Sequence, residues 1–162
     1  MTAAWILDIY AKSPAALFDP RDMKLFSELY DFIQIRDIEL LRHADLTDSI
    51  PYSRIRFLKK LVLRWNKGGY RFQDRELQEK LERLLATADD LDIEIFKHGM
   101  PLPSQANRFL LVPPREKLAG EYSAVTRQNL AQIRSLIRLL WQHFAALERS
   151  ASAKFYPMGV TE

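Results

Sequence analysis

The stretch Gln73–Gly99, "QDRELQEKLERLLATADDLDIEIFKHG", decides the fold. Leu77, Leu81, Leu84, Ala88, Leu91 and Ile95 recur in alternating steps of four and three, so a helix from Gln73 or Asp74 to His98 carries one continuous apolar seam. That spacing belongs to a helix packed along its length against antiparallel neighbours. Gly99 is expected to end it as a left-handed terminator. Arg75–Glu79, Glu76–Lys80 and Glu79–Arg83 lie four apart on the outer side, as surface pairs worth about 0.3–0.5 kcal/mol each.

Upstream, "FDPRDM" is a helix start. Asp19 serves as cap, Pro20 as first helical residue and Asp22 as a carboxylate favoured at the amino end, with Phe18 placed to staple onto Met23. Met23, Phe26, Leu29, Tyr30, Ile33, Ile38 and Leu41 keep the helical period to about Leu41, with a break expected near Gln34–Asp37. "ADLTDSIPYS" ends that helix, and a second runs from about Ser53 to Asn66, stopped by Gly68-Gly69. "WILDIY" near the start reads equally as a short helix or a strand.

Downstream, residues 99–116 hold four prolines, which forbid a continuous helix. Their apolar middle, Phe109 to Val112, is expected to lie extended as a strap over one end of the core, and a connection of this length is also a candidate for partner contact. The last helix should run from about Gly120–Glu121 to Ser150. Tyr122, Val125, Leu130, Ile133, Leu136, Ile137, Leu140, Phe144 and Leu147 make its apolar face broad enough for a central helix or one side of a homodimer. The expected fold is therefore all-α: an up-and-down bundle of about four main helices, with a long antiparallel hairpin and a proline-rich connecting strap. Residues 1–153 are read as a single helical domain and 154–162 as a tail, frayed or docked through Phe155 and Tyr156.

Composition agrees with a globular chain: 162 residues, 48% hydrophobic and 28% charged. With no cysteine, disulfide frameworks, thiolate metal sites and cysteine nucleophiles drop out. No stretch approaches the ~18 apolar residues of a membrane span, and the amino terminus lacks the basic region of a signal peptide, so a cytoplasmic location is expected. No phosphate-loop, dinucleotide, hydrolase-elbow or zincin motif occurs, and no cofactor is expected.

Charge is the best remaining signal. Arg54, Arg56, Lys59, Lys60, Arg64, Lys67, Arg71 and Arg75 face one acid, Asp74, across residues 54–75. Arg56, Lys60, Arg64 and Lys67 follow helical steps and form a basic stripe suited to nucleic acid or another polyanion. Its counterpart within the chain is "DDLDIE", with Asp89, Asp90, Asp92 and Glu94. Arg127, Arg134, Arg138 and His143 add basic groups on the last helix, and a groove would form if the two stripes were adjacent. Glu94 and His98 lie one turn apart, with Asp90 in the same row, but three histidines in the whole chain leave too few partners for a metal site.

Arg138 and His143 in "RLLWQHF" are spaced as R-x4-H, which resembles the motif of HEPN-domain ribonucleases, small all-helical proteins. The resemblance implies that these two residues would act at a scissile phosphate. Leu139 stands where that family commonly has a polar residue, and five residues rotate an ideal helix by about 140°. The leading functional reading is a non-enzymatic helical interaction or regulatory module with a protein partner or a second copy. The first alternative is nucleic-acid binding through the 54–75 helix, and the second is a HEPN-like ribonuclease.

Overall fold

The computed structural model describes residues 18–156 apart from 34 and 103. Among these the chain is mostly helical, with six helices and a three-stranded sheet. In order they are α1 (Pro20–Ile33), α2 (Ile35–Arg42), β1 (Ile50–Pro51), α3 (Arg56–Trp65), α4 (Arg75–His98), β2 (Met100–Leu102), β3 (Gln105–Leu110), α5 (Pro114–Ala119) and α6 (Ala124–Phe155), with a 3-10 turn over Tyr52–Arg54. Four main helices thus describe only part of the architecture. The first helix divides where a break is expected, and the strap folds into strands and a short helix. "WILDIY" lies outside the described residues.

The apolar seam of α4 is buried as expected. Leu77, Leu81, Leu84, Ala88, Leu91 and Ile95 are all core residues, and α4 packs along α6 with α3 on its other flank. Lys154 reaches Asp74, Ser150 reaches Glu76, and Asn129 reaches His98, so α4 and α6 run antiparallel. The apolar face of α6 is broad because it serves α4, α2 and α1 together. Ile133, Ile137, Leu140, Phe144 and Leu147 are buried there, so its breadth is accounted for within the chain. Val125, by contrast, is exposed. α6 also extends past Ser150, and Phe155 is buried against Phe26 and Phe18, with ring centroids 6.0 and 5.8 Å apart.

Helix ends follow local chemistry with one exchange. Asp19 caps α1 by accepting the Arg21 N–H at 2.9 Å, Asp74 caps α4 through the Leu77 N–H at 2.9 Å, and Ser123 caps α6 through the Thr126 N–H at 3.2 Å. Gly99 is not left-handed: its φ is −74° and ψ 136°, and the chain passes directly into β2. Glycine is needed there for space, because a Cβ would sit 2.6 Å from the Ile95 carbonyl oxygen. The left-handed terminator is Gly120, φ 68°, which closes α5.

The sheet explains the prolines. Its order is β1–β3–β2, both pairings antiparallel, with Ile50 opposite Phe109 and Met100 opposite Leu110. A proline cannot donate to a ladder, so Pro51 and Pro101 sit on the edge strands while central β3 has none. Leu110, Leu111 and Val112 then turn into the core.

Candidate nucleic-acid interface

α3 positions the basic face. Phe57, Leu58, Leu61, Val62 and Trp65 face the core, which leaves Arg56, Lys59, Lys60 and Arg64 on the solvent side. Lys67 is also exposed, but it lies past the end of α3, in a turn where its carbonyl accepts the Tyr70 N–H at 2.9 Å. Helical phase therefore places three of the expected four cations, and the turn supplies the fourth.

The acidic run on α4 forms no salt bridge with Arg56, Lys60, Arg64 or Lys67, although Asp92 feels the Lys59 charge. Glu94 is taken by Lys97 at 3.4 Å and His98 at 3.2 Å. Asp92 is buried; burial pushes its carboxyl above the ordinary carboxylate range, the Lys59 charge opposes this, and Asp89 adds to it. Among the described residues, Arg56, Lys60, Arg64 and Lys67 have no carboxylate at salt-bridge distance. Paired cations among the described residues stand elsewhere: Arg21 with Asp19, Arg75 with Glu79, Lys80 with Glu76, Lys97 with Glu94, Lys117 with Asp48, Lys154 with Asp74 and Glu76. Arg64 instead lies over the rings of Phe32, Trp65 and Tyr70, at 5.3, 5.0 and 5.7 Å from their centroids.

At the amino end of α3 the stripe opens into a cavity of about 640 Å³ between the 3-10 turn, β1 and β3. Tyr52, Ser53, Arg56, Gln105, Asn107 and Arg108 line it, and none of its lining residues is acidic. Two Arg108 nitrogens are held by Ser49, Nε on the hydroxyl at 2.7 Å and Nη2 on the carbonyl at 2.5 Å. The guanidinium is thereby fixed at the cavity wall. Tyr52 is held by Phe109 and Phe96, centroids 5.4 and 6.2 Å away. The sequence singles out the 99–116 connection for partner contact but does not point to Gln105, Asn107 and Arg108. Their signal lies in the sheet pairing that brings β3 beside residues 50–56, which no local pattern carries.

The second basic row has other duties. α3 and α6 each pack on α4 and make no extended contact with one another. Arg134 donates to the carbonyls of Arg42 and Ala44 at 3.2 and 2.9 Å, satisfying the carboxyl end of α2. Arg42 in turn sits 4.2 Å above the Trp141 ring. Arg138 is exposed. His143 is half-buried, and burial first and the Arg83 charge second hold its imidazole below the ordinary histidine range. Both lie on the uninterrupted helix α6, about 140° apart around its axis.

His98, weighed as a metal ligand, has both ring nitrogens engaged, Nε2 with Glu94 at 3.2 Å and Nδ1 with the Asn129 amide nitrogen at 3.2 Å. With that amide donating, Nδ1 accepts and Nε2 carries the proton toward the carboxylate. The group ties α4 to α6.

Comparison of the chain with family models, curated proteins and solved structures returned no match. No described helix is long and apolar enough to cross a membrane.

Proposed function

We propose that this chain is a non-catalytic binding module that holds the phosphate backbone of a nucleic acid on the exposed face of α3. The observation that carries the reading is the uncompensated charge. No acid occurs between Asp48 and Asp74, and Arg56, Lys60, Arg64 and Lys67 stand exposed without a carboxylate at pairing distance among the described residues. Like charges a turn apart repel one another, and a face that keeps them unpaired is suited to a polyanion whose counterions they displace. The modest net charge of +3 sets no opposing field around it.

Cutting the strand is not part of this reading. The test is a salt titration of binding to a labelled nucleic acid: affinity should fall steeply as salt rises and should drop with Lys60→Glu or Arg64→Glu. Absent or salt-indifferent binding ends the proposal. RNA should stay intact in the same samples; cleavage that disappears in His143→Ala would return the function to the ribonuclease reading.

A further inference from the structure

We infer that the cavity at the amino end of α3 takes one nucleotide of a single strand, so that the protein prefers single-stranded to duplex nucleic acid. The inference rests on the α3 face as a phosphate-binding surface and adds the site that selects strand form. Its volume of about 640 Å³ falls within the ~300–1,000 Å³ of small-ligand clefts.

Three features of the lining match the parts of a nucleotide. Arg56 from α3 and Arg108 from β3 bring two guanidinium groups to one cavity, and with Ser49 holding Nε and Nη2, Arg108 keeps Nη1 for a phosphate oxygen. Tyr52 lines the same space as a flat ring, braced by Phe109 and Phe96, which are themselves 5.5 Å apart. A braced ring loses little freedom when a base stacks on it. The Gln105 and Asn107 side chains carry amides that can both donate to and accept from a base edge. With no acid in the lining, nothing repels the phosphate.

A base inside a duplex is stacked and paired on both sides and cannot enter such a cavity, whereas a base of a single strand can be splayed into it. The backbone on either side would then run along α3 past Lys60 toward Lys67. Phosphate contacts alone favour the more densely charged duplex, so a preference for the single strand must come from the cavity.

Anisotropy with a short labelled single strand and its duplex tests this, alongside NMR titration with uridine 5′-monophosphate and with inorganic phosphate. The single strand should bind about tenfold more tightly than the duplex. Tyr52→Leu and Asn107→Ala should each shrink that ratio while leaving the salt dependence unchanged; Asn107 is exposed, so its variant keeps the fold. Uridine monophosphate should shift the Tyr52 and Asn107 signals, whereas phosphate alone should shift those around Arg56 and Arg108 and leave the Tyr52 ring in place. Equal affinity for the two forms, an unchanged ratio in both variants, or no shift with the monophosphate would overturn the inference. If neither nucleic acid binds, the α3 reading falls, and the monophosphate titration still decides the cavity.

Discussion

The two ends of α4 treat charge in opposite ways. At its amino end Asp74, Arg75 and Glu76 all have partners. Asp22 on α1 is buried and accepts the Gln73 and Asp74 N–H groups at 2.7 and 2.8 Å, Asp74 then caps α4, and Lys154 from α6 closes on Asp74 at 2.8 Å and Glu76 at 3.1 Å. Near its carboxyl end lies the α3 face with its cavity, where Arg56 and Lys60 meet solvent with no carboxylate at salt-bridge distance among the described residues. Charges that hold a fold together are placed where backbone groups would otherwise go unbonded. Charges that hold nothing together in the fold are the ones free for a partner.

Substitutions at the two ends should separate accordingly. The largest effect is expected for Asp22→Ala, which strips two part-buried N–H groups of a charged acceptor. It should lower unfolding free energy by about 2–4 kcal/mol in urea titrations. A loss under about 1 kcal/mol would mean that the amino end is not held by its polar contacts. Reversing Lys60 and Lys67 together should leave the urea midpoint in place while nucleic-acid affinity falls by tenfold or more, with a salt slope shallower by about 0.7 for each phosphate of a single strand that goes unneutralised. A shifted midpoint would show that these cations support the fold after all.

Arg134 and Arg138 give a smaller version of the same contrast within α6. Arg134→Ala removes two bonds to the end of α2 and should cost about 1–2 kcal/mol, whereas Arg138→Ala, on an exposed side chain, should stay within about 0.5 kcal/mol. Comparable losses would erase the distinction.

The smallest effect depends on pH. Burial raises the Asp74 carboxyl, but the hydrogen bonds from Lys154 and Leu77 and the Lys154 charge outweigh it and hold the group below the ordinary carboxylate range. Glu76 is lowered as well, chiefly by Lys154 and Ser150. A carboxylate lowered by folding binds fewer protons in the native state, so its contribution is complete above the unfolded value near pH 4 and is lost as pH falls through the folded one. Lys154→Met should thus lower stability slightly at neutral pH and converge with the unsubstituted protein as pH falls through the lowered range of the two carboxylates. A gap that persists in acid would assign the effect to packing of the lysine stem.

Much of the scaffold is legible in the chain itself. The α4 seam and its start near Asp74, the cap at Asp19 and the break in the first helix all follow from neighbours within a few residues. The helical cations of α3 are legible for the same reason. Gly99 misleads because a glycine after a helix serves both as a left-handed cap and as room for a close approach, and only the entry into β2 selects the second. The proline-rich connection reads as a strap because its strand partner, Ile50–Pro51, stands more than fifty residues away.

By itself, then, the sequence determined the main helices, some of their ends and the clustering of cations on α3, since each depends on neighbours within one or two turns. Tertiary structure alone decided which polar groups meet: Asp22 with the start of α4, Arg134 with the end of α2, Arg108 with Ser49 beside Tyr52. Those partners lie 51 to 92 residues apart in the chain. A carboxylate or guanidinium finds such a partner only after the apolar faces have packed, and nothing in its own neighbourhood records which one it will be.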